Sequence, residues 1–179
     1  MKKGLVLLAS GFEDTEGLAT IDLLLRAGLS LDIVSMMEDN NIVTQCGMKL
    51  TLDKNVKEIK TSDYDFLFIP GGKAVFSYLN KQDIVNRIIL DFSATNRLIA
   101  TICAAPALVG KLGLFENRKF TCYPGCEEGI KGKYTGQAFQ VCDNFITGKS
   151  MGHSIEFALE VVKYLLGNGV CNQLKQSIL

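Results

Sequence analysis

Short apolar runs alternate along the chain with longer segments of helical periodicity. Three runs predict strands: residues 3–9, residues 29–35 and residues 98–102, of which the first and the last are mostly apolar. Between the first two runs, residues 13–27 repeat apolar positions at helical spacing, and Gly28 follows as a natural C-cap. Alternation of strand and helix is typical of a mostly parallel sheet that carries helices on both faces.

The rest of the chain continues this pattern without a linker, a low-complexity tract or an internal repeat. We therefore predict one α/β domain over residues 1–179, a length that suits a single core. The other predicted elements are a hairpin or loop excursion at 40–52, strands at 64–69, 119–123, 140–142 and 145–147, and helices at 84–94, 105–112, 154–166 and 170–177.

Composition narrows the classes of partner. The chain has 19 basic and 19 acidic residues, so it has no net charge that would attract nucleic acid or an anionic membrane. We expect neither as a partner. No segment reaches the roughly 18 continuous apolar residues of a membrane span. The N-terminal apolar run is short and acidic residues soon follow it, so we interpret it as a strand and predict a cytoplasmic protein with free thiols.

Cys103 is the strongest candidate for chemistry. It directly follows the most apolar predicted strand and precedes Ala104, Ala105 and Pro106, at a predicted strand-to-helix turn. A nucleophile at such a turn, flanked by small residues, has the arrangement of a nucleophile elbow. The start of the following helix is expected to lower the thiol pKa. The alternative is a buried, inert cysteine.

Two other strand ends are expected to meet Cys103, because sites in such sheets lie beyond the carboxyl ends of the strands. Glu16 follows the first strand, and its helical neighbours are apolar or small, so it is predicted to face inward and to need a partner. Gly71 and Gly72 follow the strand at 64–69, where their backbone N–H groups can approach a ligand as an oxyanion hole requires. The alternatives are a helix-start carboxylate and a plain tight turn.

Taken together, these segments resemble the ThiJ/PfpI superfamily and, within it, the Parkinson-associated DJ-one branch. The resemblance covers nearly the whole chain. Its matching pieces are Gly11-Phe12-Glu13-Asp14-Thr15-Glu16, Arg26-Ala27-Gly28, Gln45-Cys46, Tyr64-Asp65 with Pro70-Gly71-Gly72, Ile102-Cys103-Ala104-Ala105-Pro106 and Glu156-Phe157-Ala158-Leu159.

The resemblance implies a flavodoxin-like three-layer sandwich and a homodimer that needs no cofactor or metal. It implies that Cys103 is a nucleophilic, oxidation-sensitive cysteine in contact with Glu16. It also implies that the N–H groups of Gly72 and Ala104 form an anion-binding pocket. A carboxylate beside a thiol raises the thiol pKa, so the two groups are expected to titrate as a coupled pair that can share one proton.

The chain also departs from the family's pattern. Relatives keep a histidine next to the sulfur, either directly after the cysteine, which is Ala104 here, or in a later loop, where Tyr123 stands. Peptidase activity is therefore not expected. A basic residue found in the hairpin of some relatives is Met48 here, which weakens the case for anion binding.

Several further residues were weighed against plain structural roles. His153 is the single histidine and is expected to begin a helix, not to complete a dyad with Cys103. Cys122 and Cys126 have a zinc-like spacing without a second pair, so a redox role for Cys122, across neighbouring strands from Cys103, is preferred over zinc. Lys149 and Ser150 are interpreted as loop residues beside the pocket, not as part of a phosphate loop.

Two functional hypotheses remain open at this stage. The first is a cofactor-independent enzyme of glyoxalase or deglycase type that acts on a small aldehyde or a glycated substrate. The catalytic residues would be Cys103 and Glu16, and Gly71, Gly72, Ala104 and Tyr123 would bind the substrate or its oxyanion. The second is a non-enzymatic sensor of oxidative stress, or a redox-regulated chaperone, that uses the same cysteine.

Overall fold

A seven-stranded sheet forms the centre of the computed structural model, which describes residues 1–178. The strand order is β10-β11-β7-β6-β1-β2-β5, and every neighbouring pair is parallel except β10 with β11. The strands of this sheet are β1 (Lys3–Leu8), β2 (Ser30–Ser35), β5 (Lys54–Asn55), β6 (Phe66–Ile69), β7 (Leu98–Ile102), β10 (Phe139–Cys142) and β11 (Phe145–Gly148).

Helices cover both faces of the sheet. On one face α1 packs against α5 and α5 against α6, while α3 packs against α4, β6 and β7 on the other. The predicted three-layer α/β fold is therefore confirmed. The helices are α1 (Thr20–Arg26), α2 (Ala74–Ser77), α3 (Asp83–Ala94), α4 (Pro106–Gly110), α5 (Ser154–Leu166) and α6 (Asn168–Ser177).

The central strands are fully buried because they are covered on both faces. Every residue of β6 and β7 is buried, which explains why these segments appear as continuous apolar runs and not as alternating patterns. The hairpin expected at 40–52 is also present, as the antiparallel pair β3 (Asn41–Val43) and β4 (Lys49–Thr51).

The structure corrects two predicted elements and adds two short strands that the sequence pattern does not predict. The helix predicted to start at residue 13 begins with a π-helical turn, Thr15–Ala19, and becomes regular only at Thr20. The strand predicted at 119–123 ends at Phe120 and pairs with β9 (Lys133–Tyr134) in a separate two-stranded sheet, as β8 (Lys119–Phe120). A strand of two residues is too short to show an apolar periodicity in the sequence. For this reason the sequence does not predict β9 or the equally short β5.

Within the described residues, none of the helices is long and apolar enough to cross a membrane.

Candidate active site

The carboxyl ends of three adjacent strands, β7, β6 and β1, open onto a cleft of about 680 Å³. Because these strands are parallel neighbours, the residues that follow them come together although they are far apart in sequence. Each strand end contributes to the lining: Glu16 follows β1, Gly72 follows β6, and Cys103 with Ala104 follows β7. The predicted meeting of the three segments is present in the fold.

Cys103 lies in a strained backbone conformation. Its φ is 64°, a left-handed value that non-glycine residues rarely adopt and that costs roughly 1–3 kcal/mol. The turn is held by the N–H of Cys103, which donates to the Gly148 carbonyl at 2.9 Å, and by the N–H of Ala105, which donates to the Ile102 carbonyl at 3.1 Å. This geometry directs a half-buried thiol into the cleft at the start of α4, as a nucleophile elbow does.

Glu16 is completely buried, and the π-helical turn is what places it there. Its Oε2 accepts a hydrogen bond from the N–H of Gly71 at 3.0 Å, and its own N–H donates to Glu13 Oε2 at 2.7 Å. Its Oε1 is buried and has no hydrogen-bond partner among the described residues. A buried carboxyl oxygen without a partner is costly, so this oxygen is available to the neighbouring thiol or to a bound molecule.

The two groups titrate as a coupled pair, as expected, but the thiol is not acidified. Burial raises the pKa of Glu16 to about 7, while the Cys103 thiol and the Gly71 N–H act in the opposite direction. Burial also raises the pKa of Cys103 well above its usual value, and the charge of Glu16 adds to this effect. The Ala104 N–H at the helix start does lower the pKa of Cys103, as does the Gly72 N–H, but desolvation and the like charge of Glu16 outweigh both.

The charge distribution of the resting pair follows from these directions. With a pKa of about 7, the Glu16 carboxyl is ionised in a substantial fraction of the molecules at neutral pH, and Cys103 retains its proton. The carboxylate is then positioned to accept the thiol proton when Cys103 attacks a substrate, which is the role that histidine has in a Cys–His pair.

Gly71 and Gly72 have different roles. The N–H of Gly71 is already bonded to Glu16, so it is not free to hold a substrate oxyanion. A Cβ at Gly71 would lie 2.6 Å from Glu16 Oε2 and 2.7 Å from the Cβ of Cys103, so only glycine fits between the two groups. Gly72 has a φ of 92° and lines the cleft, where its N–H and that of Ala104 favour the thiolate form of Cys103.

Tyr123 lies at the cleft, as the family pattern predicts for this position. It is half exposed, and its N–H donates to the Cys103 carbonyl at 2.8 Å. His153 does not line the cleft, and its Nδ1 lies 3.3 Å from Glu156 Oε2 at the start of α5. Ser150 lines the cleft, whereas Lys149 and the exposed Met48 do not.

The structure does not place Cys122, for which the sequence favours a redox role, at the cleft, and that role stays a prediction. Cys122 is fully buried, outside β8, and does not line the cleft, whereas Cys126 does. No group of metal-ligating side chains occurs among residues 1–178, and the Cys122–Cys126 spacing forms no part of one. Phe76 and Met151 also line the cleft, and the sequence did not predict this. Their large apolar side chains are partly exposed, and only the folded structure shows that exposure.

Comparison with known proteins agrees with this site and fold. The model of the DJ-1/PfpI family matches residues 2–164. The chain belongs to this family. It is 29% identical over 185 residues to the Parkinson disease protein 7 homolog of Danio rerio, covering 99% of this chain and 97% of that one. It is 30% identical over 169 residues to protein DJ-1 homolog B of Arabidopsis thaliana, covering 93% of this chain and 39% of that protein.

Solved structures of DJ-1 proteins superpose closely on this chain. A mutant of a DJ-1 superfamily protein from Salmonella typhimurium matches with a TM-score of 0.93 and 28% identity, over 99% of this chain and 98% of that one. Oxidised DJ-1 from Toxoplasma gondii matches with a TM-score of 0.89 and 26% identity, over 99% and 98% of the two chains. The expected family and its flavodoxin-like sandwich are thus confirmed.

Proposed function

We propose that this DJ-1/PfpI protein is a cofactor-independent enzyme that converts small 2-oxoaldehydes, such as methylglyoxal, into hydroxy acids. The observation that carries the proposal is the buried pair of Glu16 and Cys103 beside the cleft. A carboxyl with a pKa of about 7 is matched to proton transfer at neutral pH. Glu16, whose Oε1 has no hydrogen-bond partner among the described residues, raises the pKa of the strained Cys103. Neither feature is needed for a stable fold.

The reaction follows from these groups in three steps. Glu16 accepts the thiol proton as Cys103 Sγ bonds to the aldehyde carbon, and the proton passes to the aldehyde oxygen to give a hemithioacetal. Glu16 then takes the proton from that carbon and returns it to the neighbouring carbonyl carbon, while the hemithioacetal hydroxyl proton passes to the ketone oxygen. These transfers leave a thioester of the hydroxy acid. Water hydrolyses the thioester, which releases the hydroxy acid and restores the thiol. The net change is addition of one water molecule.

Two backbone N–H groups support the charged intermediates. Those of Gly72 and Ala104 already act on the sulfur, and an oxygen bound to the attacked carbon lies within reach of the same donors. Gly71 does not contribute to this stabilisation, because its N–H already donates a hydrogen bond to Glu16 Oε2. Tyr123 forms part of the cleft wall and leaves a phenolic hydroxyl available to a substrate.

The size of the cleft bears on the substrate class. A volume of about 680 Å³ falls within the range of small-molecule sites and exceeds what methylglyoxal needs. We therefore include early glycation adducts on an exposed side chain within the proposed substrate class. Peptide hydrolysis is disfavoured because the single histidine of the chain does not line the cleft and its Nδ1 lies 3.3 Å from Glu156 Oε2.

The test is lactate formation from methylglyoxal by the purified protein. We expect Cys103→Ser and Glu16→Gln each to lower the rate on the order of 100-fold or more, since each removes a group that acts at the reacting atoms. The wild-type rate should rise with pH through an apparent pKa near 7 as Glu16 ionises, and any residual rate of Glu16→Gln should lack that step. Equal rates in wild type and Cys103→Ser would exclude the proposal.

A second candidate is an oxidative-stress sensor that uses the same cysteine. It is favoured by the donors around Cys103: the N–H groups of Gly72 and Ala104, together with a protonated Glu16, would stabilise an oxidised, anionic sulfur. A relative of this chain has been solved as an oxidised protein. Differential alkylation after mild peroxide tests this candidate, because it requires Cys103 to lose its thiol before Cys46, Cys142 and Cys171.

A further inference from the structure

The cleft contains a second thiol that no part of the proposed aldehyde chemistry uses. Cys126 lines the same cleft as Cys103, and both side chains are half-buried. Among the described residues, the other four cysteines do not line this cleft. Two thiols that open into one enclosed space can react with each other if one of them is oxidised.

The backbone fixes Cys126 close to Cys103. The N–H of Tyr123 donates to the Cys103 carbonyl at 2.8 Å, and the N–H of Cys126 donates to the Tyr123 carbonyl at 2.9 Å. Two hydrogen bonds and a single turn of chain therefore separate the two cysteines. Cys122 sits in the same segment, but its side chain is fully buried and turned towards Glu127, with Sγ to Oε2 at 3.9 Å.

The segment that carries Cys126 is able to adjust. Residues 121–132 contain no helix or strand, and Gly125 and Gly129 have positive φ values of 92° and 76° with open space around them. A disulfide needs Cα atoms within roughly 7 Å of each other, so a loop that can shift at two glycines favours closure more than a strand would.

We propose that Cys126 is the resolving thiol for oxidised Cys103. Hydrogen peroxide first converts the Cys103 thiol to a sulfenic acid and releases one water. The Cys126 sulfur then attacks Cys103 Sγ, the S–O bond breaks, and the departing hydroxide takes a proton to become a second water. Two thiols and one peroxide thus give one disulfide and two waters, and no further co-reactant is required.

Neighbouring carboxyl groups provide the proton transfers. The charge of Glu127 acts on both cysteines of the loop, and its Oε2 accepts a hydrogen bond from the Gly125 N–H at 2.7 Å. In the proposed reaction this carboxylate accepts the Cys126 proton. Glu16 adjoins Cys103 and can donate to the departing hydroxide. The disulfide would prevent Cys103 from attacking aldehydes. Its formation would also compete with further, irreversible oxidation of Cys103 to a sulfinic acid.

Tryptic peptides make the bond directly observable. Cleavage after Arg97 and Lys111 places Cys103 alone in the peptide 98–111, and cleavage after Lys119 and Lys131 places Cys122 and Cys126 together in the peptide 120–131. After one equivalent of hydrogen peroxide, non-reducing mass spectrometry of the wild type should show these two peptides joined, with the loss of two hydrogens. Dithiothreitol should separate them.

Matched alanine variants identify the partner. Cys126→Ala should lower the yield of joined peptide at least about tenfold and lead Cys103 to gain two oxygens, since no thiol then traps the sulfenic acid. Cys122→Ala should keep the joined peptide. The proposal is overturned if Cys126→Ala retains the joined peptide, if Cys122→Ala alone abolishes it, or if the wild type forms a sulfinic acid at the same rate as Cys126→Ala. Circular dichroism of each reduced variant establishes that it is folded.

The proposed disulfide and the proposed aldehyde chemistry can be disproved independently of each other. The disulfide requires only that Cys103 react with peroxide, whereas lactate formation requires Cys103 and Glu16 in the reduced protein. A wild type that forms lactate but no joined peptide overturns the inference alone. A wild type that forms the joined peptide but no lactate overturns the proposed activity alone.

Discussion

At the scale of single residues, the central feature is that Glu16 raises the cost of ionising Cys103, whereas the Cys103 thiol favours the ionised form of Glu16. Both side chains are withdrawn from water, and each pKa is raised mainly by burial. The pair therefore carries at most one negative charge at neutral pH, and this charge lies on the carboxyl in the molecules in which Glu16 is ionised. This makes Glu16 a base that activates Cys103 during attack, in contrast to cysteines that are reactive because they are already thiolates.

The buried carboxyl should also make stability depend on pH. Its pKa is about 7 in the folded protein and 4.5 in the unfolded chain, so between these values the folded state binds more protons. The contribution of Glu16 to the free energy of unfolding consequently falls as pH rises from about 4.5 to about 7. The full loss is roughly 3 kcal/mol.

Glu16→Gln removes this titration. Relative to wild type, we expect the variant to gain up to roughly 3 kcal/mol between pH 4 and pH 8, because only the wild type then buries a charge. Urea unfolding of both proteins at the two pH values measures the change, since the titration of all other groups is common to both. A difference between the proteins that does not vary with pH would contradict the assigned pKa of Glu16.

At the scale of elements, two short irregular segments build the site. The π-helical turn Thr15–Ala19 turns Glu16 inward before α1 becomes regular, and such turns are found frequently at functional sites. The turn after β6 brings Gly71 between the carboxyl and the cysteine, where there is no space for a side chain. The regular strands bring the chain to this edge of the sheet, and the two irregular segments set the positions of Glu16 and Gly71.

Gly71→Ala tests the role of that turn. The added Cβ would lie 2.6 Å from Glu16 Oε2 and 2.9 Å from the Ile102 carbonyl oxygen, so the pair must move apart. We expect a loss of about 1–3 kcal/mol in stability from overpacking, together with a loss of lactate formation. Urea unfolding and the lactate assay measure the two effects.

Gly169→Ala is the matched control. Gly169 lies in α6, and no atom lies within 4 Å of the position that an added Cβ would occupy. We expect this variant to be more stable than wild type by roughly 0.5–1 kcal/mol, because alanine favours the helix. If Gly71→Ala were as stable and active as wild type, the close packing around Glu16 would not be required.

At the scale of the whole molecule, the sheet order determines which segments can cooperate. The adjacency of β7, β6 and β1 makes one site from residues about 90 positions apart, because parallel strands place their carboxyl ends on one edge. Family resemblance further predicts a homodimer. Apolar side chains exposed on α1 and the β3–β4 hairpin, among them Leu25, Val43 and Met48, are consistent with a covered surface.

Light scattering after size exclusion should give a mass of twice 19.6 kDa at micromolar concentration. The reason is that the apolar side chains exposed on α1 and on the β3–β4 hairpin favour self-association through the hydrophobic effect. A mass of one chain at that concentration would contradict the dimer.

The sequence by itself determined the alternation of strands and helices, the parallel α/β class and the position of Cys103 and Gly71-Gly72 at strand ends. These features could be predicted because periodicity, glycine punctuation and small flanking residues are local properties of the chain. Only the tertiary structure decided that Glu16 holds the charge, that Gly71 is occupied by Glu16, and that Cys126 reaches the cleft while Cys122 does not. Desolvation, hydrogen-bond partners and the choice between two nearby thiols depend on contacts between distant segments, and no local pattern records them.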